Sequence, residues 1–128
     1  MKFFLIFCIL FNYLFFLSNT FSNDYSDDYF KKMNSIYIKN NSSIEEGKSK
    51  YSINCISCHG PKGKGGRAPT LISNGFAPGG VYKNEFFFFT IKYGREGTIM
   101  GSFDSILSDI DIYHIISYLR NEANKITD

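Results

Sequence analysis

Cys55-Ile56-Ser57-Cys58-His59-Gly60 is the stretch on which the reading of this chain turns. Two thiols separated by two residues fall on one turn of a helix, and an imidazole follows them directly. Upstream, Gly47, Tyr51 and Cys55 recur at i, i+4 and i+8, the spacing of a single helical face. Ser43-Ile44-Glu45-Glu46 has the form of a capping box, in which serine and glutamate satisfy the free backbone N–H groups of a helix start. A helix is therefore predicted to begin at Ser43, run into the motif, and stop at Gly60-Pro61. Lys62 to Gly66 reads as a Gly/Lys loop without regular structure.

Downstream, Asn84 to Tyr93 is a predicted helix with Asn84 at its N-cap and Gly94 as its C-terminal stop. Phe86 to Phe89 cannot all face one way, so at least one ring must lie on the surface, on a partner or over a cofactor. Arg95 to Phe103 is irregular and carries Met100 close to Gly97 and Gly101. Ser108-Asp109-Ile110-Asp111 resembles a second capping box and opens a helix with Ile112, Ile115, Ile116 and Leu119 as its apolar stripe. Arg120 and Lys125 complement the dipole near its C-terminus. His114 lies off the stripe and reads as a surface histidine. Neither an internal repeat nor a strand is visible.

The chain has 128 residues, enough for one small domain. Lys2 and the apolar run Phe3 to Leu17, followed by Ser18-Asn19-Thr20, have the layout of a secretory signal over residues 1–22. The run is short for a membrane-spanning helix, although an uncleaved signal would tether the protein to the membrane. Residues 23–42 are polar and read as a linker, and the folded domain is expected over 43–124. From Ile44 to Asp128 ten basic residues face nine acidic ones, a balance that argues against nucleic acid or a polybasic membrane surface.

Export leaves Cys55 and Cys58 as the cysteines of the mature chain, since Cys8 lies in the signal. A structural disulfide is one reading of that pair. A redox-active C-x-x-C would call for a βαβ context, which the layout lacks. Zinc would need a fourth ligand, and His114 with scattered carboxylates makes a poor set. C-x-x-C-H is the attachment pattern of a c-type haem, in which the thiols become thioethers and the histidine reaches the iron. Roughly 85 residues with three or four short helices and long Gly-rich loops bury little apolar area, so a cofactor core would supply what the chain lacks. His59 is then one axial ligand. Met100, in a bendable glycine-flanked loop, is favoured over His114 as the other, and His/Met ligation raises the potential.

Gly47, Tyr51, Cys55 to Gly60, Ala68-Pro69-Thr70-Leu71, Met100-Gly101-Ser102-Phe103 and Ile115-x-x-Tyr118-Leu119 together resemble the class I cytochrome c family. The resemblance implies an all-α fold whose first and last helices cross around one covalent haem. Gly47 would allow close approach to the Tyr118 region, with Tyr51 packed beside it. The Pro69 carbonyl would accept from Nδ1 of His59. Arg67 reads either as a haem-propionate partner or as a plain surface charge. Met100-Gly101 departs from the family's common Met-Pro and implies a looser loop. Gly63 to Pro69, Pro78-Gly79-Gly80 and Gly94 to Phe103 are similar to small cytochromes that accept electrons from quinoprotein alcohol dehydrogenases. Both resemblances imply a periplasmic, monomeric one-electron carrier without a catalytic residue of its own. It would dock transiently with a dehydrogenase donor and an oxidase or cytochrome acceptor, or serve as a dehydrogenase subunit, and Lys62, Lys64 and Arg67 form a basic cluster that reads as a solvated loop or as a docking patch.

Overall fold

The computed structural model describes residues 25–76 and 79–127. The expected signal, with Cys8, lies outside the described residues, as does Pro78. Among the described residues five α-helices follow in order: α1 (Asp27–Tyr37), α2 (Asn41–Asn54), α3 (Ile56–His59), α4 (Asn84–Tyr93) and α5 (Asp109–Thr127). Single 3-10 turns occur at Pro61–Gly63 and Asn74–Phe76, and the described residues contain no strand.

The crossing of α2 on α5 organises the domain. A Cβ placed on Gly47 would lie 1.9 Å from the His114 carbonyl oxygen and 3.0 Å from Cβ of Tyr118, so only glycine lets the two backbones meet there. One helical turn on, the Tyr51 ring sits 5.4 Å from that of Tyr118. Its buried hydroxyl donates to the Gly60 carbonyl at 2.7 Å, which ties the end of the cysteine motif back to α2. The predicted stripe of α5 is the core itself: Ile112, Ile115, Ile116 and Leu119 are all essentially inaccessible. Ser108 and Asp111 cap that helix reciprocally, with Ser108 N–H donating to Asp111 Oδ2 at 2.9 Å and Asp111 N–H to Ser108 Oγ at 3.2 Å.

Three local expectations are corrected. Much of the segment read as a polar linker is helix α1, N-capped by Ser26, whose Oγ accepts from the Tyr29 N–H. Phe30 and Met33 fall on one face and are buried, because α4 and α5 leave an aromatic groove that accepts them: the rings of Phe30 and Phe88 lie 5.5 Å apart, edge to face. Helix α2 starts two residues before Ser43, capped by Asn40 Oδ1 on the Ser43 N–H at 3.3 Å, and Ser43 itself is buried. Lys83, rather than Asn84, precedes α4. Asn84 is spent on tertiary contacts, donating to Asn34 Oδ1 at 2.9 Å and accepting from Arg120 Nε at 2.8 Å.

His114 also differs from the surface role expected of it. Its ring is half-buried against Tyr37, 5.4 Å between centroids, and burial, with Lys50 adding to it, lowers its pKa. The four phenylalanines of α4 divide as the sequence requires: Phe87 and Phe88 enter the core, Phe86 is half-buried and Phe89 is on the surface. Gly94 ends α4 at φ 80°, and any side chain there would collide with the Met100 carbonyl, 2.7 Å from the hypothetical Cβ. The loop that carries Met100 is thus laid directly on the end of α4.

Candidate haem site

Cys55 stands at the break between α2 and α3, where φ of −122° turns the chain without leaving the helical path. His59 ends α3, and Gly60 at φ 70° reverses the chain. The next loop is more ordered than its composition suggests. Ala68 N–H donates to the Cys58 carbonyl at 2.9 Å, Gly65 N–H to that of His59 at 2.8 Å, and Leu71 N–H to that of Gly63 at 2.8 Å. A Cβ on Gly60 would lie 2.1 Å from the Gly65 carbonyl oxygen, so the two strands of the loop close only around glycine. This wrap delivers Pro69 to the histidine. The Pro69 carbonyl lies 3.3 Å from Nδ1 of His59 and, being an acceptor only, takes a hydrogen bond from Nδ1–H that orients the ring.

The motif opens into a cavity of about 550 Å³, within the ordinary range for a cofactor pocket. Cys55, Cys58, His59 and Met100 all line it, together with Tyr51, Arg67 and Pro69. The two thiols, the histidine and the favoured methionine therefore line one space with Tyr51, Arg67 and Pro69. Ile91, Ile115 and Leu119 form its apolar back, and Arg67 and Arg95 are exposed at its mouth. Met100 is half-buried and packs against the core. Its carbonyl accepts from Arg95 N–H at 2.9 Å and its N–H donates to Thr98 Oγ1 at 3.1 Å. His114 does not line the cavity.

Reasoning from sequence missed the aromatic wall. Phe76, Tyr82 and Phe86 stack in series, with centroids 4.4 and 4.5 Å apart. They come from a 3-10 turn, an irregular loop and α4, so no periodicity announced them. Arg120 holds this wall in place from behind. Its guanidinium donates to the carbonyls of Phe76 at 2.6 Å and Tyr82 at 2.8 Å, and lies 4.7 Å above the Phe87 ring. Burial lowers its pKa, partly offset by Glu85. Its partners within hydrogen-bond distance are neutral oxygens.

The residues present fit a c-type haem better than the alternatives. Cys55 and Cys58 are both free thiols, not a disulfide. Burial, reinforced by Cys58, pushes the Cys55 thiol up to about 12, so it is held as the neutral thiol. Among the described residues no three His, Cys, Asp or Glu side chains are arranged to hold a bare metal ion, which leaves the zinc reading without a site. An apolar slot edged by two thiols, an oriented imidazole, a thioether and two guanidinium groups matches the chemistry of the macrocycle, its iron and its propionates.

The family model described as "Cytochrome C oxidase, cbb3-type, subunit III" matches residues 42–119. None of the curated proteins matches the chain. Among solved structures the chain is similar to cytochrome cL from the marine methylotrophic bacterium Methylophaga aminisulfidivorans MPT, at 22% identity and TM-score 0.58, covering 81% of this chain and 75% of that one. It is also similar to cytochrome cL from Hyphomicrobium denitrificans, at 26% identity and TM-score 0.57, covering 65% of this chain and 49% of that one. A third similarity is to dihydro-haem d1 dehydrogenase NirN in complex with DHE, at 30% identity and TM-score 0.52, covering 58% of this chain and 15% of that one. The chain spans about half the length of the second structure and a small part of the third. The all-helical fold is that of the class I cytochromes c. The chain belongs to the family of cbb3-type cytochrome c oxidase subunit III, and it is an electron-carrier cytochrome with a covalently bound c-type haem, Cys55 and Cys58 standing at the spacing such attachment requires.

Proposed function

We propose that this chain is a periplasmic one-electron carrier, with Cys55 and Cys58 as the thioether anchors and His59 and Met100 as the axial ligands. The observation that carries this reading is that all four side chains line one cavity although Met100 lies some forty residues from the motif. A bound c-type haem supplies a one-electron ferric/ferrous couple. The chain's own residues do the rest. Pro69 fixes the His59 ring and leaves Nε2 directed away from the hydrogen bond. The Phe76, Tyr82 and Phe86 wall and the aliphatic back of the cavity exclude water, which disfavours the more charged oxidation state. Arg67 and Arg95 at the mouth supply cations for the propionates.

A carrier needs surface access for a partner, and Lys62, Lys64 and Arg67 are exposed beside the motif. They suit transient, charge-steered docking. The donor class implied by the sequence motifs is a quinoprotein alcohol dehydrogenase, with an oxidase or a second cytochrome as acceptor. Residues 1–22 act as the export signal in this reading, and N-terminal sequencing of the mature protein reads out its removal.

The deciding experiment is a visible spectrum with potentiometry on protein matured with haem, for the parent chain and Met100→Ala. A His/Met carrier shows low-spin spectra, a sulfur-to-iron charge-transfer band that Met100→Ala abolishes, and no carbon monoxide binding by the ferrous parent at neutral pH. Ready carbon monoxide binding together with a Met100→Ala spectrum identical to the parent's would refute it. One observation favours a second reading, a haem enzyme with a labile sixth ligand. Nothing lies within 4 Å of a Cβ built on Gly101, so no side chain packs over the residue after Met100 on that side. The carbon monoxide result separates the two.

A further inference from the structure

Helix α1 precedes the residues matched by the family, yet it is wired to the loop that carries Met100. The wire can be followed atom by atom. Tyr25 and Tyr29 each donate a hydroxyl to Oδ2 of Asp109, both at 3.1 Å. Oδ1 of the same carboxylate meets the Lys92 ammonium at 2.7 Å, and that ammonium reaches Asp104 Oδ1, also at 2.7 Å. Lys92 is mostly enclosed, with its Nζ 5.6 Å from the centre of the Tyr25 ring and 5.9 Å from those of Phe88 and Tyr93. Burial would lower its pKa, but the hydrogen bonds it donates to Asp104, Asp109 and Tyr25 outweigh that and raise it, so it stays charged.

From Asp104 the connection continues into the loop. The Lys92 carbonyl accepts from the Asp104 N–H at 3.1 Å and from Ser102 Oγ at 2.6 Å. Phe103 N–H donates to the Ile91 carbonyl at 3.1 Å, and Arg95 N–H to that of Met100 at 2.9 Å. Residues 100–104 are therefore stitched to the end of α4 on one side, and through Lys92 to the starts of α5 and α1 on the other. Gly101, where a side chain would meet open space and where no proline stiffens the backbone, is the point where this loop would otherwise give.

We propose that the Tyr25/Tyr29–Asp109–Lys92–Asp104 network is a strap by which the N-terminal helix fixes the Met100 loop and sets how readily Met100 leaves the iron. Lys92 and the two tyrosines are positioning residues, and the strap compensates for glycine after the methionine. The inference rests on Met100 being the sixth ligand. A ligand that must displace Met100 binds with an apparent affinity proportional to the fraction of molecules whose loop is open.

The test is imidazole titration of the ferric holoprotein at neutral pH, followed through loss of the sulfur-to-iron band. Lys92→Met is expected to tighten apparent imidazole binding by about tenfold, and the pair Tyr25→Phe/Tyr29→Phe by about threefold, through a larger open population. Asp104→Asn, at a half-exposed carboxylate, acts in the same direction and carries the test if Lys92→Met fails to fold. Met100→Ala sets the upper limit. A change in global stability alone would not move the affinity measured far below the unfolding transition. If Met100→Ala binds imidazole much more tightly than the parent while the strap variants stay within about twofold of it, the strap is refuted and the ligation stands. If Met100→Ala binds no more tightly than the parent, the ligation reading falls and the strap falls with it.

Discussion

Replacing Gly47 with alanine tests the crossing on which the whole domain depends. On an isolated helix the change should help, since glycine in a helix interior costs about 0.5–1 kcal/mol relative to alanine. Here the new methyl carbon would sit 1.9 Å from the His114 carbonyl oxygen and 2.4 Å from its carbon, both main-chain atoms of α5 that cannot rotate away. Relief requires α2 and α5 to separate by more than about 1 Å, and a close-packed interface does not yield that cheaply. Separation pulls Tyr51 from Tyr118 and strains its 2.7 Å hydrogen bond to Gly60, so part of that bond's net value of about 1 kcal/mol is lost as well. Overpacking of this kind costs about 1–3 kcal/mol and occasionally more, and two main-chain overlaps place this case at or above the upper end. After the helix-propensity gain, a net loss of about 2 kcal/mol or more is expected. Guanidinium denaturation of the holoprotein, followed by far-ultraviolet circular dichroism, measures it. An unchanged or raised midpoint would mean that the helices do not touch at Gly47, and the placement of Tyr51 and the cysteine motif would lose its foundation.

Tyr51→Phe removes the shorter of the two donors to the Gly60 carbonyl, leaving only the Gly63 N–H at 3.3 Å, and should cost about 1 kcal/mol in the same denaturation assay. Arg120→Met removes the anchors of the Phe76 and Tyr82 carbonyls; we expect a loss of about 2–4 kcal/mol and a weakened Soret-region dichroism as the aromatic wall loosens. Asp111 gives a pH test. Burial pushes its pKa up, but the Lys50 ammonium and the Ser108 N–H and hydroxyl more than offset this and hold it below its ordinary value of 3.8. Its contribution is therefore fully present above the ordinary carboxylate range and is lost as pH falls through the depressed value, so Lys50→Met should flatten the acid limb of a stability-versus-pH curve below about pH 4. An acid limb of unchanged slope would count against the pairing.

The motif was legible because its chemistry is local. Cys55, Cys58 and His59 are adjacent in the chain, and their spacing states what they can hold before any folding occurs. The stripe of α5 was legible for a similar reason, since a helix displays its buried face as a period. Gly47 and Pro69 were named through resemblance, and the crossing and the 3.3 Å contact with His59 give each of them a physical reason. Helix α1 was misread because its polar composition outweighed a short apolar face. Phe30 and Met33 gain their burial against a groove that α4 and α5 build some fifty to eighty residues later.

The sequence by itself determined the cofactor attachment, the helix leading into the motif and the apolar stripe of α5, and it offered Met100 as the candidate fourth side chain; the crossing of the two helices was only what the family resemblance implied. The attachment, the helix and the stripe are readable because covalent spacing and helical periodicity act over a few residues. Only the tertiary structure decided which aromatics wall the cavity, that Arg120 braces them, and that a helix outside the family's span is tied to the Met100 loop. Those features join residues distant in the chain through hydrogen bonds, ion pairs and ring contacts, and no local pattern encodes a partner that folding alone brings within reach.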